Sequence, residues 1–206
     1  MSSPSPIDTD QPSSTVTALL QARRDKLAKL QELGIDPWGS RFDNSQAVAS
    51  IRKEGESIAQ DADNGPTVRV AGRIMLLRNA GRVVFLDLVD RTGRLQVMIA
   101  KKQVGPDTWP VVGCLDLGDI IGVEGRLGYS NSGEMTIFAS SLTFLTKSLE
   151  TPPDKYHGLV DPELRQRMRY LDLIHGEGVR DRFCLLYTSD AADDSLRVDL
   201  GGRRII

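Results

Sequence analysis

The feature that most limits what this chain can fold into is a change of hydrophobic period at Asn64-Gly65-Pro66. Before that break, apolar residues recur every three or four positions, the spacing of one helix face. After it they alternate, the spacing of one sheet face. Five alternating segments follow: Val68–Arg78, Val83–Asp90, Arg94–Ala100, Asp119–Leu127 and Glu134–Phe144. Asn79-Ala80-Gly81, Arg91-Thr92-Gly93 and Ser130-Asn131-Ser132-Gly133 supply the tight turns between neighbouring segments. Residues 101–118 are of mixed polarity and leave room for a short helix. Three strands, a connecting helix and two more strands in about 80 residues fit a small Greek-key barrel of the OB type. The predicted fold class is mainly β with flanking helices: a five-stranded OB-fold Greek-key barrel preceded by N-terminal helices.

On the N-terminal side, Val16, Leu19, Leu20, Leu27, Leu30 and Leu33 mark one amphipathic helix that Gly34 closes, with Arg23, Arg24, Lys26 and Lys29 expected on its wet side. Residues 44–60 predict a second, weaker helix interrupted by Gly55. Residues 1–14, with Pro4, Pro6, Pro12 and five serines, predict a disordered tail. Beyond the barrel, Pro152, Pro153 and Pro162 predict an extended linker running into a charged helix around Glu163–Leu173, where Glu163, Arg165, Arg167 and Arg169 form ion pairs. The domain reading is a tail over 1–14, a helical segment over 15–64, a barrel over 65–147, a linker opening a further domain over 148–183, and a last stretch over 184–206.

Composition narrows the function classes. The 206 residues carry 26 Lys and Arg against 28 Asp and Glu, so net charge alone does not draw in a polyanion, and any such partner needs a local patch. Cys114 and Cys184 are too far apart for a C-x-x-C pair, and His157 and His175 add no metal-ligand spacing, so no metal is expected and His157 reads as a structural or hinge residue. With no apolar run long enough to span a bilayer and no secretory leader, the expected setting is the cytoplasm, without a membrane partner. No P-loop, G-x-S-x-G or H-E-x-x-H motif occurs, so no catalytic residue is assigned.

Strand alternation sorts the barrel into two faces. Val68, Val70, Ile74 and Leu76, then Val84, Leu86 and Leu88, then Leu95, Val97 and Ile99 form the expected core. On the other face lie Arg69 and Arg73, then Val83, Phe85 and Asp87, then Arg94 and Gln96. An aromatic ring beside guanidinium and amide groups suits an unpaired base, stacked on the ring and hydrogen-bonded at its edge. Between Val68 and Lys102 there is a local excess of six positive charges. The competing reading is that Phe85 belongs to the core and the arginines solvate a plain sheet face.

The stretch LTKSLETPPDKYHGLVDPELRQRMRYLDLI (Leu145 to Ile174) resembles the segment that joins the anticodon-binding and catalytic domains of class II lysyl-tRNA synthetases. The resemblance runs upstream through VAGRIMLLRNAGRVVFLDLVDRTGRLQVMI, LGDIIGVEGRL, SGEMTIFA and RRDKLAKLQELGIDPW, covering about Arg23 to Phe183. It implies that the barrel binds a uridine-rich tRNA anticodon loop. By motif position it assigns Phe85 to the stacking ring and Gln96, Arg73 and Glu134 to base edges, with Arg78 as a further contact. Where a second Arg often precedes Arg78, this chain has Leu77. The family uses ATP and Mg²⁺ and acts as a homodimer, but its ATP-holding motifs do not occur in these residues. This chain is expected to bind without a cofactor and without catalysing. After Val179–Phe183 the residues CLLYTSDAADDSLRVDLGGRRII leave the family pattern and resemble a read-through terminus, so a truncated frame is expected. Two alternatives stay open: a stand-alone single-strand-binding OB module, or the anticodon-binding part of an aspartyl or asparaginyl enzyme.

Overall fold

The computed structural model describes residues 14–58, 65–150, 161–176 and 178–188. The chain divides into two compact units, residues 1–151 and 152–206. The first holds α1 (Ser14–Glu32), α2 (Val48–Gly55), β1 (Thr67–Asn79), β2 (Val83–Val89), β3 (Arg94–Ala100), α3 (Lys101–Val112), β4 (Ile120–Tyr129) and β5 (Met135–Thr146). The strands close a barrel in the order β1-β2-β3-β5-β4, every pair antiparallel except β3 with β5. Closure leaves no long open sheet edge, which is how a chain of short strands avoids edge pairing.

The barrel interior is filled from the alternate positions of each strand. Val70, Ile74, Leu86, Leu88, Val97, Ile99, Ile121, Val123, Leu127 and Ile137 are all fully buried. One expected core position is corrected. The register of β1 on β2 shifts between Ile74 and Leu76, so Leu77 stands opposite Leu86 and packs on the core, while Leu76 stands opposite Asp87. A single extra residue in a strand moves every later side chain to the other face. The same bulge puts Arg78 opposite Phe85, on the outer surface.

The short helix expected within 101–118 is present but kinked. Gly105 has φ +81°, inside α3, and Pro106 restarts the helix after it. Val104, Val111, Val112, Cys114 and Leu115 pack into the core cluster. Helix α2 is capped from outside, because Ala47 offers no side-chain cap. The Val48 amide donates to Asp90 Oδ2 at 2.9 Å and the Ala49 amide to Thr92 Oγ1 at 3.0 Å, both from the β2–β3 turn. Gly55, which breaks the helical pattern in the sequence, lies where a Cβ would come within 2.5 Å of the Met135 thioether.

The expectation that Arg23 and Lys26 face solvent is overturned. Arg23 is buried and its guanidinium donates to the carbonyls of Leu117 and Ser148 at 2.8–3.0 Å. Lys26 Nζ pairs with Asp116 at 2.5 Å. These two residues clamp α1 onto the loop before β4, while Leu19 and Leu33 of the apolar stripe stay exposed. Asp116 also belongs to a closed ionic cluster at the end of β5. Lys147 Nζ donates to Asp119 at 2.8 Å, Asp116 at 2.7 Å and the Cys114 carbonyl at 2.9 Å, and its side chain is fully buried. Asp119 Oδ1 accepts from the Ser148 amide and Oδ2 from the Asp116 amide, each at 2.8 Å. Burial pushes the Asp119 carboxyl above its ordinary pKa, opposed by Lys147.

In the second unit, α4 (Pro162–Arg167) and α5 (Arg169–His175) replace the single helix expected over Glu163–Leu173, with the break at Met168 (φ −107°, ψ 51°). Asp161 caps α4 by accepting from the Glu163 amide at 2.8 Å, with Pro162 at its first position. The ion pairs expected there are present: Arg167 with Glu163 at 2.7 Å, and Arg165 and Arg169 both with buried Asp172 at 2.9 Å. Residues 179–188 are helical. Of the tail expected over 1–14, Ser14 opens α1, and residues 1–13 lie outside the described residues, as do the Pro-rich stretch 151–160 with His157 and residues 189–206 of the last stretch. Among the described residues no helix is long and apolar enough to cross a membrane, and no group of side chains could hold a metal ion.

Candidate nucleic-acid interface

Residues opposite one another across neighbouring strands share a face, and two such rows cross the outer surface of the barrel. One runs Arg78, Phe85, Met98, Phe138, Arg126 through β1, β2, β3, β5 and β4. The next runs Leu76, Asp87, Gln96, Thr136, Gly128 in the same strand order. Arg78, Phe85, Met98 and Phe138 of the first row and Gln96 of the second line a groove of about 510 Å³ together with Ala80, Glu134 and Ser130–Ser132. Phe85 and Phe138 are half-buried and both line the groove, Phe138 with Arg126 over its ring.

The polar groups of the groove are held in place by one another. Gln96 Nε2 donates to Glu134 Oε2 at 2.7 Å, and Thr136 Oγ1 lies 2.8 Å from both Gln96 Oε1 and the Glu134 carbonyl. A hydroxyl has one proton, so it serves one of those acceptors at a time. Gln96 therefore keeps one amide N–H and at least one lone pair for an incoming group, in an orientation fixed from both ends. Its side chain is nearly buried while Glu134 is exposed. Arg126 stacks its guanidinium over the Phe138 ring at 4.9 Å.

The structure brings Arg78, Phe85, Gln96 and Glu134 together. Arg73 stands elsewhere. It is paired with Val89, four residues and roughly 14 Å along β2 from Phe85, and its guanidinium donates to the Gly118 carbonyl at 2.8 Å. Burial lowers its pKa and nearby Asp119 opposes that shift. The positive charge counted in the sequence is likewise divided. Arg69 pairs with Glu124 at 2.9 Å and lies over the Phe42 ring, and Arg94 pairs with buried Asp87. Among the described residues Arg78, Arg82, Lys101 and Lys102 make no ion pair, so the uncompensated cations concentrate beside the groove.

Sequence reasoning missed Phe138, Met98 and Arg126. Alternation within β5 sets Phe138 on the side away from buried Ile137 and Ala139, a signal that was available. Nothing local says that β5 lies parallel to β3, and that pairing is what delivers Phe138 to Met98.

Residues 68–145 match the family described as OB-fold nucleic acid binding domain. The chain is 42% identical over 166 residues to the lysine–tRNA ligase of Latilactobacillus sakei, matching 80% of this chain and 33% of that protein. The lysine–tRNA ligase of Enterococcus faecalis is 42% identical over 163 residues (78% and 33%), and that of Staphylococcus aureus strain N315 is 44% identical over 161 (75% and 32%). The chain thus spans about a third of the length of the curated relatives it matches.

Proposed function

We propose that this chain, whose residues 68–145 match an OB-fold nucleic acid binding domain, is part of a lysine–tRNA ligase and that its groove binds the anticodon loop of a tRNA. The observation that carries the proposal is the convergence of a half-buried aromatic ring, a pre-oriented amide and an unpaired guanidinium on one groove. Phe85 stacks on an unpaired base, which is sequence-tolerant because every base has a π-face. Gln96 supplies discrimination: its remaining N–H and lone pair meet an acceptor and a donor side by side, the pattern of the uracil O4 and N3–H. Cytosine presents the reverse at those two atoms. Glu134 holds the amide in that sense and can itself accept from a neighbouring base, and Arg78 closes the end of the row beside Phe85. Arg73 acts by fixing the Gly118 carbonyl.

Lysine activation with ATP and Mg²⁺, transfer to tRNA, homodimerisation and a cytoplasmic setting are proposed for the whole protein. That chemistry is expected to need residues beyond these 206, because no class II ATP motif occurs in the sequence. The 206-residue chain is expected to give no lysine-dependent ATP–pyrophosphate exchange above a protein-free blank, and clear exchange would overturn this part of the reading.

Binding is tested on a uridine-rich anticodon stem-loop. Phe85→Ala is expected to weaken it by ~1–3 kcal/mol with a smaller loss of stability, whereas a core Phe would instead cost ~3–5 kcal/mol of folding. Gln96→Ala is expected to lower the preference for uridine over cytidine. Wild-type affinity and preference in both variants would show that the groove is ordinary surface.

A further inference from the structure

We propose that a second cavity, lined by Arg82, Lys101 and Lys102, is a phosphodiester site that holds the backbone of the RNA strand whose base lies on Phe85. It rests on the anticodon-loop reading above and adds a separate subsite to it. The cavity has a volume of about 530 Å³ and an apolar floor that includes Val83 and Ala100. Val83 and Ala100 are paired across β2 and β3, and Phe85 and Met98 are the next pair on that face. Two residues of strand separate the rows, roughly 7 Å, so a strand stacked on Phe85 passes over this cavity with its next linkage.

The backbone assembles the three cations. The Lys101 amide donates to the Arg82 carbonyl at 3.0 Å, which ties the β1–β2 hairpin to the start of α3. Gly105, with φ +81°, then turns the chain back so that Pro106 forms the far wall. A Cβ at Gly105 would meet nothing within 4 Å, so the glycine serves this backbone conformation and not close packing. Lys101 Nζ lies 6.0 Å from the Trp109 ring. All three cations are exposed, and among the described residues no carboxylate neutralises them, although Asp107 stands on the same helix. By contrast Arg69, Arg73 and Arg94, from the same run of sequence, are tied to acceptors within the protein. Three uncompensated positive charges around a small apolar floor suit a singly charged, oxygen-rich group carried on a flexible chain. They offer no acceptor with which to read a base. The site is therefore expected to contribute affinity without sequence preference.

The test uses the full chain with Arg82→Ala/Lys102→Ala, and Arg82→Lys/Lys102→Arg as the control that keeps both charges. Affinity is measured from low to moderate salt for the uridine-rich stem-loop and for a scrambled RNA of equal length. The double alanine variant is expected to lose about tenfold at low salt on both RNAs alike, and its salt slope is expected to fall by about 1.4, or ~0.7 per cation. The control keeps the slope. A single methylphosphonate at the linkage beside the stacked base is expected to weaken wild type and leave the double variant unaffected. An unchanged slope, or a loss confined to one sequence, overturns the proposal. So does protection of the cavity by inorganic phosphate at constant ionic strength without any change in RNA slope, which would mark a site for free anions. The two readings fail separately: wild-type affinity in Phe85→Ala together with normal base preference in Gln96→Ala would sink the anticodon assignment, while a lowered slope in the double variant would keep the phosphate site.

Discussion

Just beyond the end of β5, Lys147 has its donors engaged by Asp116, Asp119 and the Cys114 carbonyl, and its side chain sees no solvent. Just before the start of β5, Glu134 is exposed and holds Gln96 through one hydrogen bond, and Gln96 keeps spare donor and acceptor capacity. Both clusters combine carboxylates with nitrogen donors, and both tie β5 to another part of the barrel. The difference is saturation. A buried charge with every valence met can do nothing except hold its neighbours, because releasing it leaves another charge unpaired in a poorly solvated place. A partly met, half-open cluster can exchange an internal partner for a ligand at little cost.

The largest expected effect lies at the closed end. Lys147→Met removes the cation that faces Asp119, and it should cost about 3–5 kcal/mol of folding stability at neutral pH, measured by urea unfolding. Asp119 binds its proton more tightly in the folded chain than its ordinary value, because of burial. The folded state therefore holds the extra proton between the ordinary carboxylate pKa, about 3.9, and the raised one. Protonation relieves the unpaired charge, so the gap between variant and wild type should narrow as pH falls toward that lower limit. Where the variant is folded, its RNA affinity should equal wild type. A neutral substitution at Lys147, or one that alters base preference, would break the comparison.

This contrast also explains what was legible in the sequence. Strand alternation is local, so β3 runs over Arg94–Ala100 as alternation alone marks it, and Leu95, Val97 and Ile99 are buried. Phe85 and Gln96 could be placed on a common outer face because β2 and β3 form one hairpin without a bulge. Two kinds of information were missing. The bulge at Met75 exchanges Leu76 for Leu77 and sends Arg78 outward, and no residue type announces it. Long-range partners were invisible as well. Arg23 and Lys26 read as the wet side of α1 because the carbonyl of Leu117 and the carboxylate of Asp116 lie some 90 residues away. Lys147 drew no notice, since the sequence does not show that Asp119 folds back over it.

Asp90 stands between the two extremes and sharpens the comparison. Its carboxylate is partly buried and saturated, but by neutral donors: the amides of Val48, Thr92 and Gly93 and the Thr92 hydroxyl. Burial alone would raise its pKa, and these hydrogen bonds outweigh it and hold the carboxyl below its ordinary value. Because it also caps α2, Asp90→Ala should cost about 0.5–2 kcal/mol. The sign of its pH dependence follows from the lowered pKa. The stabilisation is complete above about pH 3.9 and is lost as pH falls through the folded pKa. The deficit of this variant should thus persist down to about pH 4 and close only below it, whereas that of Lys147→Met begins to close from above. Matching pH profiles for the two variants would mean that counter-charge and neutral donors are not distinguished in this fold.

The smallest effect on stability, and the one most telling for function, is expected at Glu134. Its side chain is exposed, its loss strands no buried charge, and Gln96 can still accept from Thr136 when the bond from Nε2 is gone. Glu134→Ala should leave the thermal midpoint within error of wild type. Gln96 would then be fixed at its oxygen only, and its amide could turn to present either order of donor and acceptor. The preference for uridine over cytidine should fall several-fold, while the affinity for scrambled RNA holds or rises slightly, because a negative charge has left the edge of a polyanion site. Glu134→Gln keeps a hydrogen-bonding partner for the amide and should recover part of the preference without the charge, which separates orientation from electrostatics. If Glu134→Ala instead lowered stability as much as Asp90→Ala while base preference stayed intact, the groove's polar cluster would be a structural tie like the one around Lys147, and Gln96 would have no claim to reading a base.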